Sequence, residues 1–417
     1  MDKDTVCIIG MGYVGLPLAR AFSKKLKVVG FDVDTAKVTA LNQGRSYQNL
    51  TFTSSPVEIS QADFIIICVP TPITQSKEPE LSFLKAAAMT VSQNMKKNCV
   101  VILESTVYPG LTEEVIVPIL ESRGLKAGRD FKIAYSPERI NPGDDEHTIE
   151  KVTKVVAGMD AETAEIVAEL YRKVVKSVFI ARDIRTAEAA KVVENIQRDL
   201  NIALMNEFAV MFEKMGMSTR DVLDAAATKW NFHRYEPGLV GGHCIPVVPY
   251  YLVHKSRQVG HEPRVILAGR KTNDFMPEHI VGMTVKALKN TGKAIKGSRV
   301  LVMGLTYKED VADTRDSPLK TIIEKLAEQG VEVLGFDPLL DADIFKREFK
   351  IKYIGSLSEV KAAKVDGIII GVAHSSFKKY SLAELKDLQQ EKPVLIDIRG
   401  LFHSNDAEAA GFYYKTL

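Results

Sequence analysis

The first third of the chain alternates short apolar runs with amphipathic segments. Continuous apolar runs are typical of strands buried on both faces of a parallel sheet, whereas apolar residues at three- and four-residue spacing predict helices. Residues 16–24 have the helical spacing and separate the first two runs. The pattern predicts strands at residues 6–9, 27–31, 63–69, 99–103 and 131–135. Strands and helices that alternate in this order are typical of a parallel α/β sheet.

The pattern changes near residue 184 and changes back near residue 298. Between these points it predicts a long helix at 186–215 and further helices at 218–227, 250–254 and 263–290. Strand-like runs then return at 299–305, 332–337, 366–371 and 394–398. We therefore predict an α/β fold in which two Rossmann-like domains, residues 1–184 and 294–417, are joined by a central helical region, residues 185–293, with one long helix.

A glycine-rich turn separates the first predicted strand from the first predicted helix. Its glycines are Gly10, Gly12 and Gly15, and an acid, Asp32, ends the second strand. In a dinucleotide fold the first two glycines allow a tight turn close to the pyrophosphate, and the third lets helix and strand pack closely. An acid in this place accepts hydrogen bonds from the adenosine ribose and repels a 2′-phosphate. The sequence therefore predicts NAD rather than NADP as the ligand of this half.

Composition and charge are those of a globular protein, and they argue against nucleic acid and membranes as partners. The 417 residues are 46% hydrophobic and 26% charged, with a formal net charge of +2. The chain has no basic run or stripe, so nucleic acid is not an implied partner. No apolar run approaches the roughly 20 residues that cross a bilayer, and no signal-peptide pattern opens the chain, so we expect a cytoplasmic protein without a membrane partner. The four cysteines have no metal-ligand spacing, and we expect no metal.

Polar, turn-forming residues follow three of the predicted strands. Ligands of open α/β sheets bind at the carboxyl ends of the strands, so several such clusters on one sheet edge suggest a site, whereas one cluster alone is an ordinary loop. The clusters are Pro70-Thr71-Pro72, Glu104-Ser105-Thr106-Val107 and the segment 136–143.

A second candidate site is the segment 238–252, which contains Cys244. Three glycines precede the cysteine in this segment and two prolines follow it. Glycines let a backbone pass close to a ligand, and prolines stiffen the exit. A cysteine held there is a candidate nucleophile, because a thiolate attacks carbonyl carbon readily. The alternative is a Gly/Pro-rich connector with a buried, inert cysteine, and Cys7, Cys68 and Cys99 are expected to be core residues of that kind.

Other charged and polar residues give weaker signals. Lys191 and Asn195 are four residues apart and share one face of the long helix, where apolar neighbours allow partial burial. Lys308, Arg315 and Arg399 lie in the second half near predicted strand ends, where basic groups suit a diphosphate or a uracil. The alternative for both sets is a solvated surface position.

An NAD half, a nucleotide-sized half and a cysteine between them suggest a four-electron oxidation. An alcohol becomes an aldehyde, a thiolate traps it as a thiohemiacetal, a second hydride leaves, and water releases a carboxylate from the thioester, with two NAD consumed. The chain resembles the UDP-glucose/GDP-mannose dehydrogenase family over nearly its whole length. The shared motifs are GxGYVGLP at 10–17, VPTP at 69–72, ESTV at 104–107, SPERxNPG at 136–143, ExxKxxxN at 188–195, GGHC at 241–244 and DTR at 313–315.

The resemblance implies a role for each candidate residue. Cys244 would be the nucleophile, Lys191 and Asn195 would stabilise the oxyanion and hold the sugar, and Glu138 and Thr106 would assist hydrolysis. The implied NAD contacts are Gly10, Gly12, Tyr13, Val14, Gly15, Asp32, Pro70, Thr71, Thr106 and Arg315. The implied UDP-sugar contacts are Glu138, Arg139, Lys191, Asn195, Gly241, Gly242, Lys308 and Arg399. Family members pair through the central helix, so the resemblance implies a homodimer or a higher even oligomer.

Within the family, residues 228–232 and 237–240 resemble the branch that oxidises carbon 6 of UDP-N-acetylglucosamine or UDP-N-acetylgalactosamine. One residue departs from the family pattern: Val248 stands where the family has an aspartate that helps activate the thiol or the hydrolytic water. Three hypotheses follow. The protein is an active UDP-N-acetylhexosamine 6-dehydrogenase, a relative that acts on UDP-N-acetylmannosamine or UDP-glucose, or a protein of low activity that binds NAD and a nucleotide sugar.

Overall fold

The computed structural model describes residues 4–44, 47–139 and 148–417. The chain forms two compact units. The first comprises residues 1–195 and 247–263, and the second comprises residues 196–246 and 264–417. The glycine turn belongs to the first unit and Cys244 to the second. The domain boundaries that the sequence suggests, near residues 184 and 293, stay a prediction.

The first unit is built on a sheet of eight strands. The strands are β1 (Thr5–Ile9), β2 (Lys27–Phe31), β3 (Leu50–Thr53), β4 (Phe64–Ile67), β5 (Val100–Leu103), β6 (Lys132–Tyr135), β7 (Thr153–Gly158) and β8 (Ser177–Ile180). Their order is β3-β2-β1-β4-β5-β6-β7-β8, and neighbours are parallel except β6 and β7. All five predicted strands are present. The prediction missed β3, β7 and β8. Strands β3 and β8 form the sheet edges and expose side chains, so they lack a continuous apolar run, and β7 begins with the polar residues Thr153 and Lys154.

Helices cover both faces of this sheet. They are α1 (Gly15–Ser23), α2 (Thr35–Gln43), α3 (Ser82–Asn94), α4 (Val117–Glu121) and α5 (Ala161–Arg172). Alternate side chains of β1 enter two different cores, since Cys7 and Ile9 belong to one and Val6 and Ile8 to the other. Burial on both faces explains why these strands read as unbroken apolar runs.

The glycine turn lies where the strand order reverses, between β1 and β4. Gly10 has a φ of +96°, and a Cβ atom there would lie 2.9 Å from the carbonyl oxygen of Cys68. A Cβ atom at Gly15 would lie 2.0 Å from the carbonyl oxygen of Gly10. Both positions therefore require glycine. At Gly12, by contrast, a Cβ atom would meet nothing within 4 Å, so the turn is open on that side.

Four helices follow in the middle of the chain. They are α6 (Ile184–Met215), α7 (Thr219–Ala226), α8 (Val248–Gln258) and α9 (Arg264–Asn290). The 32 residues of α6 confirm the predicted long helix. Helix α8 is longer at both ends than the predicted 250–254. At its N-terminal end it includes Pro249, which a first turn tolerates because no N–H is needed there.

The second unit contains a six-stranded parallel sheet. Its strands are β9 (Arg299–Met303), β10 (Glu332–Phe336), β11 (Lys352–Tyr353), β12 (Gly367–Ile370), β13 (Val394–Asp397) and β14 (Tyr413–Thr416), in the order β11-β10-β9-β12-β13-β14. Its helices are α10 (Leu319–Glu328), α11 (Ala342–Ile344), α12 (Leu357–Ala363), α13 (Leu382–Asp387) and α14 (Ser404–Ala409).

The two sheets share one local design at the turn after their first strand. Asp337 accepts a hydrogen bond from the N–H of Leu305 at 2.7 Å, as Asp32 does from the N–H of Met11 at 2.8 Å. The predicted fold class, two Rossmann-like domains and a central helical region with a long helix, is confirmed. Within residues 4–44, 47–139 and 148–417, no helix has both the length and the apolar character needed to cross a membrane.

Candidate active site

Asp32 lies beside the glycine turn as an ionised carboxylate. Its Oδ2 accepts hydrogen bonds from the N–H of Met11 and from Nζ of Lys37, both at 2.8 Å. Burial opposes ionisation, but these bonds and a third from the N–H of Asp34 outweigh it and lower the pKa of Asp32. A charged carboxylate is what hydrogen bonding to a ribose diol requires.

The other cofactor candidates of the first unit follow the carboxyl ends of three strands. Five of them are at least partly exposed: Tyr13, Val14, Pro70, Thr71 and Thr106. These positions are the ones that ligands of open α/β sheets use. Their contacts with a cofactor stay a prediction.

Glu104, at the end of β5, joins two of the strand-end clusters. Its carboxylate accepts hydrogen bonds from Nζ of Lys154 at 2.8 Å and from the hydroxyl of Tyr171. The same ammonium donates to the carbonyl of Pro137 at 3.0 Å. Burial raises the pKa of Glu104, and the charge of Lys154 opposes that shift. The sequence did not single out Lys154, because its place in K-V-T-K-V-V is typical of a solvent-facing strand position.

Glu188 anchors the N-terminal part of α6. Its carboxylate accepts hydrogen bonds from the N–H of Gly110 at 2.5 Å, and from the N–H and hydroxyl of Thr112 at 2.9 and 2.6 Å. Burial raises the pKa of Glu188 to about 7, against the effect of the three donors. The contact fixes the helix that carries Lys191 and Asn195 to the loop that follows Thr106.

Lys191 and Asn195 project from one buried face of α6, with 7% and 8% of their surfaces exposed. Nζ of Lys191 donates to the carbonyl of Glu138, which comes from the third strand-end cluster. Nδ2 of Asn195 is buried and has no hydrogen-bond partner among the residues that the structure describes. A buried donor left unpaired costs about 1–3 kcal/mol, and the predicted contact of Asn195 with the sugar stays a prediction.

Arg139, the remaining candidate of this cluster, is engaged within the first unit. Its guanidinium lies 2.8 Å from the carboxylate of Glu194 and donates to the carbonyl of Thr153 at 2.8 Å. Its predicted contact with substrate stays a prediction. The rest of the SPERxNPG motif, residues 140–143, lies outside the described residues.

Cys244 differs from the other cysteines in exposure. It is partly exposed, whereas Cys7, Cys68 and Cys99 are buried. Burial raises the pKa of Cys7 to about 12 and that of Cys99 to about 11, so these thiols stay protonated in the core. The expected core role of these three is what the structure shows, and Cys244 has the accessibility that a nucleophile needs.

The glycines before Cys244 pack against the segment 307–318. A Cβ atom at Gly241 would lie 2.8 Å from the carbonyl oxygen of Asp316, and one at Gly242 would lie 2.7 Å from the ring of Tyr307. Protein packing in the second unit therefore already requires both glycines. Their predicted contact with a sugar stays a prediction.

The basic candidates of the second unit are held by acidic neighbours. Nε of Arg315 lies 2.9 and 3.0 Å from the two carboxylate oxygens of Asp313. Nε of Arg399 lies 3.0 Å from Oε1 of Glu309, and Lys308 is partly buried in the same loop. Fixed guanidinium groups suit a phosphate, and their nucleotide contacts stay a prediction. Among the described residues, no three side chains of the His, Cys, Asp and Glu types gather as metal ligands do.

The chain matches the domains of one protein family along its length. The NAD-binding domain of the UDP-glucose/GDP-mannose dehydrogenase family matches residues 4–47 and 44–175, its central domain residues 185–275 and its UDP-binding domain residues 301–404. The chain belongs to this family. It is an NAD-dependent nucleotide-sugar dehydrogenase, and its partner is a UDP-sugar.

Relatives match the chain from end to end. A UDP-N-acetyl-D-glucosamine 6-dehydrogenase of Pseudomonas aeruginosa is 44% identical over 98% of this chain and 99% of its own. An enzyme of the same name from Salmonella typhi is 42% identical over 96% of each chain. The UDP-D-ManNAc dehydrogenase of Pyrococcus horikoshii, a solved structure, is similar with a TM-score of 0.89 at 29% identity, over 99% of this chain and 98% of its own.

The glycine turn of this family member fits NAD. The open side of Gly12 leaves room for a pyrophosphate, and Asp32 is ionised for a ribose diol. When bound, NAD accepts the hydride that leaves the sugar.

Proposed function

We propose that this dehydrogenase oxidises carbon 6 of a UDP-N-acetylhexosamine, UDP-N-acetylglucosamine or UDP-N-acetylgalactosamine, to the uronic acid. The observation that carries the proposal is the buried, unpartnered Nδ2 of Asn195, one helical turn from the buried Lys191, within the described part of the chain. An ammonium and a neutral amide donor on one face stabilise a developing oxyanion. The names of the two bacterial relatives support the N-acetylhexosamine.

The proposed chemistry uses Cys244 as the nucleophile. Its thiolate adds to the aldehyde, and the thiohemiacetal loses a second hydride to give a thioester, which water hydrolyses. Lys191 and Asn195 stabilise the oxyanion, while Glu138 and Thr106 assist the water. We assign Lys308 and Arg399 to the nucleotide, and Arg315 to the cofactor region.

Val248 favours a second candidate, a relative that binds both ligands and turns over slowly. Its side chain is 2% exposed in the first turn of α8. A valine cannot exchange protons, so the activating step must use another group or fail.

The experiment that tests the function is NADH release with UDP-sugars. The panel is UDP-N-acetylglucosamine, UDP-N-acetylgalactosamine, UDP-N-acetylmannosamine and UDP-glucose, offered to the native protein, Val248→Asp and Cys244→Ala. We expect two NADH per sugar with one of the first two substrates, and no acid from Cys244→Ala. If only Val248→Asp completes both hydride transfers, the slow relative is the correct function. If no sugar yields NADH with any variant, the proposal is wrong.

We also propose that the chain forms a homodimer or a higher even oligomer. Leu204 and Met211 lie seven residues apart on α6 and are 46% and 47% exposed, and Phe275 of α9 is 46% exposed. Large apolar side chains exposed along helices support burial against a second copy. Light scattering of the protein as it elutes from a size-exclusion column measures its molar mass. A monomer at micromolar concentration would contradict the proposed oligomer.

A further inference from the structure

His243, the residue before Cys244, faces a carboxylate of the same unit. Its Nδ1 lies 3.0 Å from Oδ2 of Asp316, and about a third of the imidazole, 35%, is exposed. The contact with His243 lowers the pKa of Asp316, although burial opposes that shift, so the carboxylate is charged at neutral pH. An imidazole and a carboxylate at this distance form an oriented pair.

The backbone around Asp316 holds this pair in place. Asp316 has a φ of +48°, in the left-handed region that non-glycine residues avoid at a cost of about 1 kcal/mol or more. Its carbonyl lies against Gly241, at 2.8 Å from where a Cβ atom would be, so the glycine segment and the acid pack too closely for a side chain at position 241. The other charged groups that face the pair are Asp313, Arg315 and Lys320.

The pairing decides which nitrogen can take a proton. With Nδ1–H directed at Asp316, the neutral imidazole carries its lone pair on Nε2. A proton accepted at Nε2 gives an imidazolium that the carboxylate stabilises, which is the general logic of an imidazole base oriented by an acid. Position 248, where the family has an aspartate, is a valine in this chain and cannot accept a proton.

We propose that His243, oriented by Asp316, is the proton acceptor that serves Cys244 in place of a carboxylate at position 248. The inference rests on the proposed function. In the first step the Sγ–H proton moves to Nε2, and the sulfur electron pair forms the bond to the aldehyde carbon while the carbonyl π pair moves to oxygen. After the hydride has left the thiohemiacetal, the imidazolium releases this proton to solvent. In hydrolysis a proton of water moves to the freed Nε2 as the water oxygen attacks the thioester carbon. The C–S bond then breaks, and the sulfur leaves as a thiolate that takes the proton back. Asp316 is a positioning residue.

Alkylation of Cys244 by iodoacetamide tests the first step without any substrate. The other three cysteines are buried, and Cys244→Ala gives the background. For His243→Gln we expect alkylation at pH 7 to slow by about tenfold, and alkylation at pH 10, where a free thiol ionises without help, to be unchanged. Asp316→Asn should slow the reaction at pH 7 by a smaller factor. The exposed His261→Gln is the matched control and should react like the native protein. Native rates at pH 7 in both His243→Gln and Asp316→Asn would overturn the proposal.

The double variant His243→Gln/Val248→Asp tests whether the histidine replaces the missing carboxylate. We expect His243→Gln to lose at least about tenfold in acid production, and added imidazole to restore part of it in His243→Ala. Val248→Asp should raise acid production by a larger factor in the His243→Gln background than in the native protein. Equal factors in both backgrounds would contradict the idea that His243 takes the place of the missing carboxylate. Because alkylation needs no sugar, a native protein that oxidises no UDP-sugar would refute the proposed function while the alkylation result still decides the role of His243.

Discussion

The side chain of Asn206 makes both hydrogen bonds of the Gly238 backbone. Its Oδ1 accepts from the N–H at 2.8 Å, and its Nδ2 donates to the carbonyl at 3.0 Å. Nδ2 also donates to Asn273 of α9 at 2.8 Å, whose amide donates to Asp199 at 2.8 Å. The side chains of this network are buried. Because Gly238 opens the segment that leads to Cys244, the network fixes where that segment leaves the helices.

Replacement of Asn206 by alanine should therefore destabilise the second unit. Two buried backbone groups and the amide of Asn273 lose partners, at about 1–3 kcal/mol for each unsatisfied group. We expect the free energy of unfolding, measured in urea, to fall by about 2–4 kcal/mol. The matched control is Asn201→Ala on the same helix, where the amide is exposed and bonds only to the carbonyl of Gln197 among the described residues. Equal losses of unfolding free energy in the two variants would show that the hydrogen bonds between Asn206 and Gly238 contribute nothing.

Glu188→Gln should change how stability depends on pH. The pKa of Glu188 is raised to about 7, above the roughly 4.3 of an unfolded chain. The folded state therefore holds this proton more tightly, so the contribution is full below about pH 4 and is lost as the pH rises through 7. Between pH 4.5 and 8 the free energy of unfolding of the native protein should fall by about 3 kcal/mol relative to that of Glu188→Gln.

Urea unfolding at intervals across that pH range measures the difference. The control is Glu207→Gln, the same substitution at an exposed position of α6, which should follow the native curve within about 0.5 kcal/mol. Parallel curves for the native protein and Glu188→Gln would mean that the buried carboxyl is ionised throughout.

Lys154→Met should expose the cost of a buried, unpaired carboxylate. The pair of Lys154 and Glu104 is 2% and 0% exposed, and removal of one partner of such a pair costs about 3–5 kcal/mol. The double variant Lys154→Met/Glu104→Gln removes the charge and should recover more than half of the loss in urea unfolding. Lys24→Met, which breaks an exposed pair with Glu150, is the control and should cost at most about 1 kcal/mol. A double variant as unstable as the single one would contradict this account.

The sequence predicted the elements whose residues carry their own pattern. Strands such as β4 are buried on both faces and form continuous apolar runs in the sequence. The turn at Gly10 was predictable because few other structures require glycines spaced as at residues 10, 12 and 15. The apolar neighbours of Lys191 and Asn195 indicated that their helix face could be buried, and both side chains are buried.

Contacts between distant parts of the chain left no such pattern. His243 and Asp316 are 73 residues apart, and Lys154 is 50 residues from Glu104, so neither pair forms a local motif. Likewise, Gly-Phe-Asp stands at residues 30–32 and again at residues 335–337, where Asp32 and Asp337 have matching roles. The repeat did not show that His374 would bond to the carboxylate of Asp337 at 3.1 Å. Burial of polar groups depends on the partner, and the partner comes from the fold.

Gly12→Ala should separate cofactor binding from stability. A Cβ atom at Gly12 would meet no protein atom within 4 Å, and the φ of Gly12 is not in the left-handed region, so the variant should fold. Its stability should rise by up to about 1 kcal/mol, because alanine reduces the conformational entropy of the unfolded chain. The added methyl group enters the space that a pyrophosphate would use, so we expect the Kd for NAD, measured by calorimetry, to rise by about tenfold or more. Gly282→Ala in α9 is the matched control, because a Cβ atom there too meets nothing within 4 Å and the residue belongs to the second unit. Its free energy of unfolding should rise by about 1 kcal/mol, and it should bind NAD as the native protein does. Native affinity in Gly12→Ala would place the pyrophosphate elsewhere, since a backbone that a ligand approaches closely cannot accept a side chain there without loss.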